Sequence, residues 1–256
     1  MRKTVLITGA GRRIGRAMAE DFAAAGWRVA VHYHQSSAEA DEVVAAIAAK
    51  GGKAAAVEAD LADPGAVARL VPAAMRALGP LGCLINNASI FERDDITSAT
   101  QDSWDRHMAV NLRAPFFLSQ AFAAQVSPNE HGSIVNVIDE RVWHLTPHFA
   151  SYTVSKAGLW TLTQTLAMAL APRIRVNAVG PGPTLPSPYQ SQAQFDAQCA
   201  RMPLGRGTTP TDICTAVHFI LAAPAMTGQM IALDGGQHLG WGQKGEFQTG
   251  EARTEG

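Results

Sequence analysis

The sequence predicts an α/β fold: a doubly wound parallel sheet of about seven strands with helices on both faces. Three observations predict it. Seven short apolar runs alternate with alanine-rich stretches long enough to be helices. Strands separated by helices of ten or more residues build a parallel sheet covered on both sides. The first run leads through a glycine-rich turn into a helical stretch, "LITGAGRRIGRAMAE". Polar residues close the runs, Asp60 after the third and Asn86-Asn87 at the fourth, at the carboxyl ends where open α/β sheets bind ligands.

In chain order, the strands are expected at 4–8 (TVLIT), 28–33 (RVAVHY), 53–59 (KAAAVEA), 81–86 (LGCLIN), 133–139 (SIVNVID), 173–179 (RIRVNAV) and 229–233 (QMIAL). Between them the helices are expected at 14–26, 38–50, 64–78, 102–126, 149–171 and 210–222, all rich in alanine, which has the highest helix propensity. The segment 180–208 breaks this rhythm. It holds Pro181, Pro183, Pro186, Pro188 and Pro203 and reads as a long functional loop, with a short helix near 191–201. Residues 1–239 then form a single domain, and the polar, glycine-rich tail 240–256 is flexible or ordered only against a neighbouring subunit.

Composition limits the function classes. The chain has 256 residues, 47% hydrophobic and 17% charged, with a formal net charge of −1. That balance gives no reason to expect nucleic acid or an anionic membrane as a partner. No apolar run approaches the roughly 18 residues needed to span a bilayer. Cys83, Cys199 and Cys214 form no C-x-x-C pair and fit reduced thiols in the cytoplasm. The histidines show no metal-ligand spacing, so no metal is expected.

The turn Thr8-Gly9-Ala10-Gly11-Arg12-Arg13-Ile14-Gly15 lies between strand and helix. Glycines there let the backbone approach a pyrophosphate, which lies on the helix N-terminus in a Rossmann-type, dinucleotide-binding arrangement. Arg13 stands where a third glycine is expected. It points a permanent cation toward phosphate or toward a substrate above it, or it is a solvated surface arginine. NAD sites place an acid at the end of the second strand. Here no acid lies between Asp21 and Glu39, and His32, Tyr33, His34 and Ser36 stand instead, donors suited to a 2′-phosphate. NADPH is therefore the expected cofactor. Asp60 and Leu61 mark the edge where adenine would lie. Tyr152 and Lys156, four apart, share one face of a helix.

Thr8-Gly9…Gly15, Asp60, Asn86-Asn87-Ala88, Asn111, Tyr152-x-x-x-Lys156 and Pro181-Gly182 together resemble the short-chain dehydrogenase/reductase family over essentially the whole chain. The resemblance sharpens toward the pteridine reductases and related bacterial dihydromonapterin and dihydrofolate reductases. It rests there on Arg13, on His32-Tyr33-His34 with Ser36, on Asn87-Ala88-Ser89 with Phe91, and on Asp139 where most of the family has serine. In pteridine reductases a cation often follows the His-Tyr-His segment; here Gln35 does. The resemblance implies that Asn87 and Ala88 border the cofactor and that Thr184, just past Pro181-Gly182, bonds a cofactor phosphate. It implies that Asn111 helps place a proton-relay water beside Lys156, that Phe91 stacks on a pterin, and that Ser89 and Arg13 contact the pterin or a phosphate. It also implies a homotetramer, with a dimer as the alternative.

Asp139 bears on the chemistry by itself. Ketone reduction develops negative charge on oxygen, which a serine hydroxyl stabilises by donating a hydrogen bond. An ionised carboxylate only accepts. It suits a substrate that presents N–H donors or takes its proton on nitrogen, as a pterin does. Tyr152 is the expected proton donor. A Lys156 ammonium ~4 Å away contributes about 4 kcal/mol at an effective dielectric of ~20, enough to lower the phenol by up to ~3 pH units. Asp139 pushes the other way, so the three are expected to titrate together. The expected function is an NADPH-dependent reductase of a dihydropterin, dihydromonapterin or dihydrofolate. The alternatives are a carbonyl reductase of a ketone or 3-oxoacyl thioester and a non-catalytic NADPH sensor.

Overall fold

The computed structural model describes residues 1–187 and 190–240. Seven strands form one sheet: β1 (Thr4–Ile7), β2 (Arg28–Tyr33), β3 (Lys53–Glu58), β4 (Cys83–Asn86), β5 (Gly132–Val137), β6 (Ile174–Pro181) and β7 (Met230–Leu233). Their order is β3-β2-β1-β4-β5-β6-β7, and every pairing is parallel. The helices are α1 (Arg13–Ala24), α2 (Ser37–Ala49), α3 (Pro64–Leu78), α4 (Gln101–Met108), α5 (Ala114–Gln125), α6 (Ala150–Leu170), α7 (Gln192–Ala200) and α8 (Pro210–Ala222). The expected tail, Gly240 excepted, lies outside the described residues.

The strand sequences do not alternate apolar and polar because both faces are buried. Val5 and Ile7 pack with Met18 and Phe22 of α1, Val43 of α2 and Val217 of α8. Leu6, between them in sequence, faces the other way and packs with Leu70 of α3 and Leu118 and Phe122 of α5. Successive side chains of a strand point to opposite faces, so one four-residue strand serves two cores. Each fully buried Val, Leu or Ile contributes about 1.5–3 kcal/mol of transfer free energy.

The stretch expected as a helix at 102–126 is helical throughout 101–125, but it is not uniform: α4 and α5 are joined by a π turn at Ala109–Arg113. The cause lies in Pro115. Without an N–H it cannot donate to the carbonyl of Asn111, and the amide of Ala114 reaches back five residues to the carbonyl of Ala109. Such π turns are frequent at functional positions, and this one carries Asn111.

Because all strands run in parallel, their carboxyl ends lie along one edge. Sheet order reverses at β1, which has β2 on one side and β4 on the other. The crevice outside such a switch point is where ligands bind. The loops after β1, β4, β5 and β6 all open there.

Candidate active site

The glycine turn is tied down from below. The hydroxyl of Thr8 accepts from the amides of Asn87 and Ala88, both at 2.9 Å. The side chain of Asn87 donates to the carbonyls of Thr8 at 2.8 Å and Gly9 at 3.2 Å. Gly9 has a φ of +63°, and a Cβ there would stand 3.0 Å from the Ala88 Cα; at Gly15 a Cβ would stand 2.1 Å from the Gly9 carbonyl oxygen. Both positions therefore require glycine. Arg12 ends the turn with no side-chain cap on α1, and the first turn of α1 holds no acid. The leading amides remain available to an anion such as a pyrophosphate.

Arg13 begins α1 with a φ of +53°. That left-handed backbone is why a glycine is expected there, and it costs an arginine about 1–3 kcal/mol. Its guanidinium donates to the Leu185 carbonyl at 3.3 Å, joining the turn to the loop after β6. The neighbouring Arg12, which the sequence reading passed over, pairs with Glu39 of α2. The adjacent Ser36 hydroxyl caps no backbone amide of α2. His34 lies 3.8 Å from Asp60.

His32 does not fit the role expected for it. It is buried, its Nδ1 accepts from the Gly9 amide at 2.9 Å, and its Nε2 lies 3.0 Å from the Ala59 carbonyl. Burial lowers its pKa to about 4. His32 is a neutral strut beneath the glycine turn and cannot donate to a 2′-phosphate. The side chain of Leu61 packs into the core with residues of α3.

Helix α6 carries Tyr152 and Lys156. Its first residues are held by Asp94 from the loop after β4: the Asp94 carbonyl accepts from the Phe149 amide at 2.6 Å and its carboxylate from the Ser151 amide at 3.2 Å. Phe149 has a left-handed backbone, φ +60°. Asp139 follows β5 and uses its two oxygens separately. One caps the short 3-10 turn Glu140–Val142 by accepting from the Arg141 amide at 2.9 Å; the other accepts from the Tyr152 hydroxyl at 2.8 Å.

Lys156 is buried and donates to the Val137 carbonyl at 2.8 Å; its ammonium lies 5.7 Å from the centroid of the Tyr152 ring. Burial lowers its pKa to about 8, against the opposing pull of Asp139. The expectation that Lys156 lowers the Tyr152 pKa is reversed. Burial, and then the charge and hydrogen bond of Asp139, raise the phenol well above its ordinary value. The ammonium is directed at a backbone carbonyl, while the carboxylate accepts a hydrogen bond from the phenol.

Asn111 touches neither Tyr152 nor Lys156 directly. Its amide oxygen accepts from the Ile90 amide at 2.8 Å and the Ser89 hydroxyl at 3.2 Å. Its nitrogen donates to the Ile90 carbonyl and the Ser155 hydroxyl, each at 3.0 Å. It clamps the loop carrying Phe91 onto the helix carrying Tyr152. Phe91 stacks on Phe149 with ring centroids 4.4 Å apart and presents its side to Tyr152 at 4.8 Å.

A cavity of about 870 Å³ opens among these groups. Arg13, Ile14, Asn87, Ser89, Phe91, Asp139, Tyr152, Lys156, Pro181, Gly182 and Thr184, all expected at the site, face it together. The Thr184 hydroxyl donates to the Gly182 carbonyl at 2.9 Å. Tyr33, His34, Ser36 and Asp60 lie outside the cavity, toward the β2–β3 edge. Glu140, Arg141, Phe149, Arg93 and Arg201 also face the cavity and were missed. Glu140 and Arg141 directly follow Asp139, a proximity that was a usable signal. Phe149 and Arg201 carry none, because only folding brings them there.

The chain resembles known proteins along most of its length. Residues 9–238 match a family described as enoyl-(acyl carrier protein) reductase. A solved structure of the FolM alternative dihydrofolate reductase 1 from Brucella suis, in complex with NADP, is 45% identical, with a TM-score of 0.91 over 93% of this chain and 96% of that one. A 3-oxoacyl-[acyl-carrier-protein] reductase from Synechocystis is 33% identical over 238 residues, 91% of this chain and 96% of its own. An uncharacterized oxidoreductase from Methylorubrum extorquens is 36% identical over 242 residues, 91% of this chain and 97% of its own.

Proposed function

The chain belongs to the short-chain dehydrogenase/reductase family, and from that premise we propose that it is an NADPH-dependent reductase of a pterin-type substrate: a dihydropterin, dihydromonapterin or dihydrofolate. The observation that carries this reading is Asp139. A carboxylate that already accepts from the catalytic phenol, in a cavity walled by Phe91, suits a flat heterocycle with N–H donors better than a ketone oxygen. The Brucella FolM structure, similar over nearly the full length of both chains, supports it.

NADPH fits the residues present. The uncapped start of α1 suits the pyrophosphate, and the absence of an acid between Asp21 and Glu39, with Arg12 and Ser36 beside the turn, suits a 2′-phosphate. Asn87, Ala88, Pro181, Gly182 and Thr184 would border the nicotinamide half, with Arg13 at the phosphates and Tyr33, His34 and Asp60 at the adenosine end. When bound, the nucleotide supplies the hydride. Tyr152 keeps its proton at neutral pH and is the acid that delivers it toward a substrate nitrogen. Asp139 holds the phenol in place and accepts an N–H of the substrate. Lys156, fixed by the Val137 carbonyl, holds positive charge near the tyrosine. Phe91 and Ser89 orient the ring, and Asn111 keeps them registered against α6.

The three free cysteines support a cytoplasmic location, and among the described residues no helix is long and apolar enough to cross a membrane. A homotetramer belongs to the same reading. Its support is an apolar groove of about 380 Å³ between α5 and α6, lined by Leu112, Phe116, Phe117 and Leu162 among others.

A second reading, reduction of a 3-oxoacyl thioester, is favoured by the 3-oxoacyl-carrier reductases at 33–34% identity. A substrate panel decides between them. With NADPH, dihydrobiopterin, dihydromonapterin and dihydrofolate are expected to drive cofactor oxidation, and NADPH is expected to exceed NADH in kcat/KM. Turnover of a 3-oxoacyl thioester with none of the pterins would overturn the proposal.

A further inference from the structure

The cavity is cationic, although the chain carries a formal net charge of −1. Arg13, Arg93, Arg141, Arg201 and Lys156 line it, against the carboxyls of Asp139 and Glu140. Elsewhere Arg2, Arg12, Arg16, Arg69, Arg106 and Arg206 each pair with a carboxylate, and Arg113, Arg173 and Arg175 are held by backbone carbonyls. None of the four cavity arginines forms an ion pair among the described residues. Arg13 is accounted for by the glycine turn and its bond to the Leu185 carbonyl. The other three come from separate parts of the chain. Arg93 lies two residues past Phe91, Arg141 two past Asp139, and Arg201 just after α7.

Arg141 adds an independent sign of a missing partner. Its guanidinium lies 5.2 Å from the centroid of the Phe149 ring, which stacks on Phe91. One terminal nitrogen donates to the Thr146 hydroxyl, while Nε is buried with no acceptor. A buried charged donor left unpaired is costly, and a ligand oxygen relieves that cost. Guanidinium groups are the side chains best shaped for carboxylates, which they bind through two parallel hydrogen bonds.

We propose that Arg93, Arg141 and Arg201 form a site for a carboxylate-bearing tail of the substrate, so that the enzyme favours dihydropterins with an anionic side chain over those with a neutral one. Dihydrofolate, whose glutamate carries two carboxylates, is the simplest such substrate. The proposal rests on the pterin reading above. Phe91, Asp139 and Tyr152 take the ring common to all pterins, and the arginines discriminate by what is attached to it.

The test compares dihydrofolate with 7,8-dihydrobiopterin, whose side chain is uncharged, both with NADPH. Arg93→Gln, Arg201→Gln and the double variant suit it because both side chains are exposed. Arg141→Lys, which keeps the charge but loses the fork, is the third arm. Each single change is expected to raise KM for dihydrofolate about five- to tenfold, and KM for dihydrobiopterin less than about twofold. Raising ionic strength from about 0.05 to about 0.5 M is expected to reproduce the same selective rise. Equal effects on both substrates, or no effect on either, overturn the tail site and leave the pterin reading standing. A parent enzyme that reduces neither substrate overturns both.

Discussion

Arg13 and Glu140 each hold a conformation or charge state that folding alone does not favour. Arg13 keeps a left-handed backbone beside a glycine-rich turn. Arg13→Gly is expected to raise stability by about 1 kcal/mol, because glycine adopts that φ without strain. The same change removes the bond to the Leu185 carbonyl and a cation from the cavity, so kcat/KM is expected to fall tenfold or more. Denaturant melts and steady-state kinetics on one preparation check both halves; a variant that is more stable and fully active would remove Arg13 from the site. Glu140 is nearly fully buried, and its Oε2 has no partner. Burial first, then Asp139 and Asp234, raise its pKa from 4.5 to about 8, with Arg141 opposing. Below about pH 4.5 the folded and unfolded chains both keep this proton. Between about 4.5 and about 8 only the unfolded chain releases it, so stability falls as pH rises through that window. Screening by the cavity reduces the effect to roughly 1–2 kcal/mol. Glu140→Gln is expected to remove that slope: its melting temperature should exceed the parent's at pH 8 and match it near pH 5. Parallel melting curves from pH 5 to 8 would show that Glu140 does not titrate in this way.

At the scale of elements, the interruption between α4 and α5 decides where Asn111 stands. A continuous helix would turn residue 111 to a different angle, and the clamp on Ser89, Ile90 and Ser155 would be lost. Asn111→Ala removes these bonds from a buried position, at a cost of roughly 1–3 kcal/mol in stability. Because the clamp sets Phe91 against Tyr152, activity per folded molecule is also expected to fall, about tenfold or more, with a larger effect on kcat than on cofactor affinity. Circular dichroism melts, NADPH titration and kinetics together separate that result from simple unfolding. Helix α7 shows the opposite economy. It buries no residue, yet Phe195 and Gln198 from it line the cavity. An element with little burial opens at low cost, as a lid over a binding site must.

For the molecule as a whole, the outer faces of α5 and α6 are too apolar to suit water. Phe116 and Phe117 of α5 are 42% and 46% exposed, and Met168 of α6 is 76% exposed. Exposed apolar patches of this kind mark interfaces. The tetramer reading predicts that the parent protein elutes at four times the chain mass. Phe116→Glu combined with Phe117→Glu is expected to give a smaller species, because two carboxylates cannot be buried unpaired. Light scattering coupled to gel filtration measures both; a monomeric parent would end that reading.

The alternation of apolar runs with alanine-rich stretches was sufficient to predict the seven parallel strands and the helices on both faces, because hydrophobic periodicity is a local property of the chain. The glycine turn, Asp139 and the Tyr152–Lys156 pair were legible for the same reason. Each is a short motif whose chemistry follows from residue type and spacing, and Arg13 and Ile14 of the turn face the same cavity as Asp139, Tyr152 and Lys156. Four matters waited for the tertiary structure. His32 reads as a free donor in sequence, but β3 and the glycine turn close over it. Lys156 reads as a charge aimed at a phenol, but its ammonium donates to the Val137 carbonyl instead. The π turn at Asn111 shows only once the Ala114 amide is seen to reach back to the Ala109 carbonyl. Arg93, Arg141 and Arg201 come from loops and a helix end separated by up to 108 residues, between Arg93 and Arg201. Burial, hydrogen-bond partners and long-range juxtaposition are non-local quantities, and no window of sequence contains them.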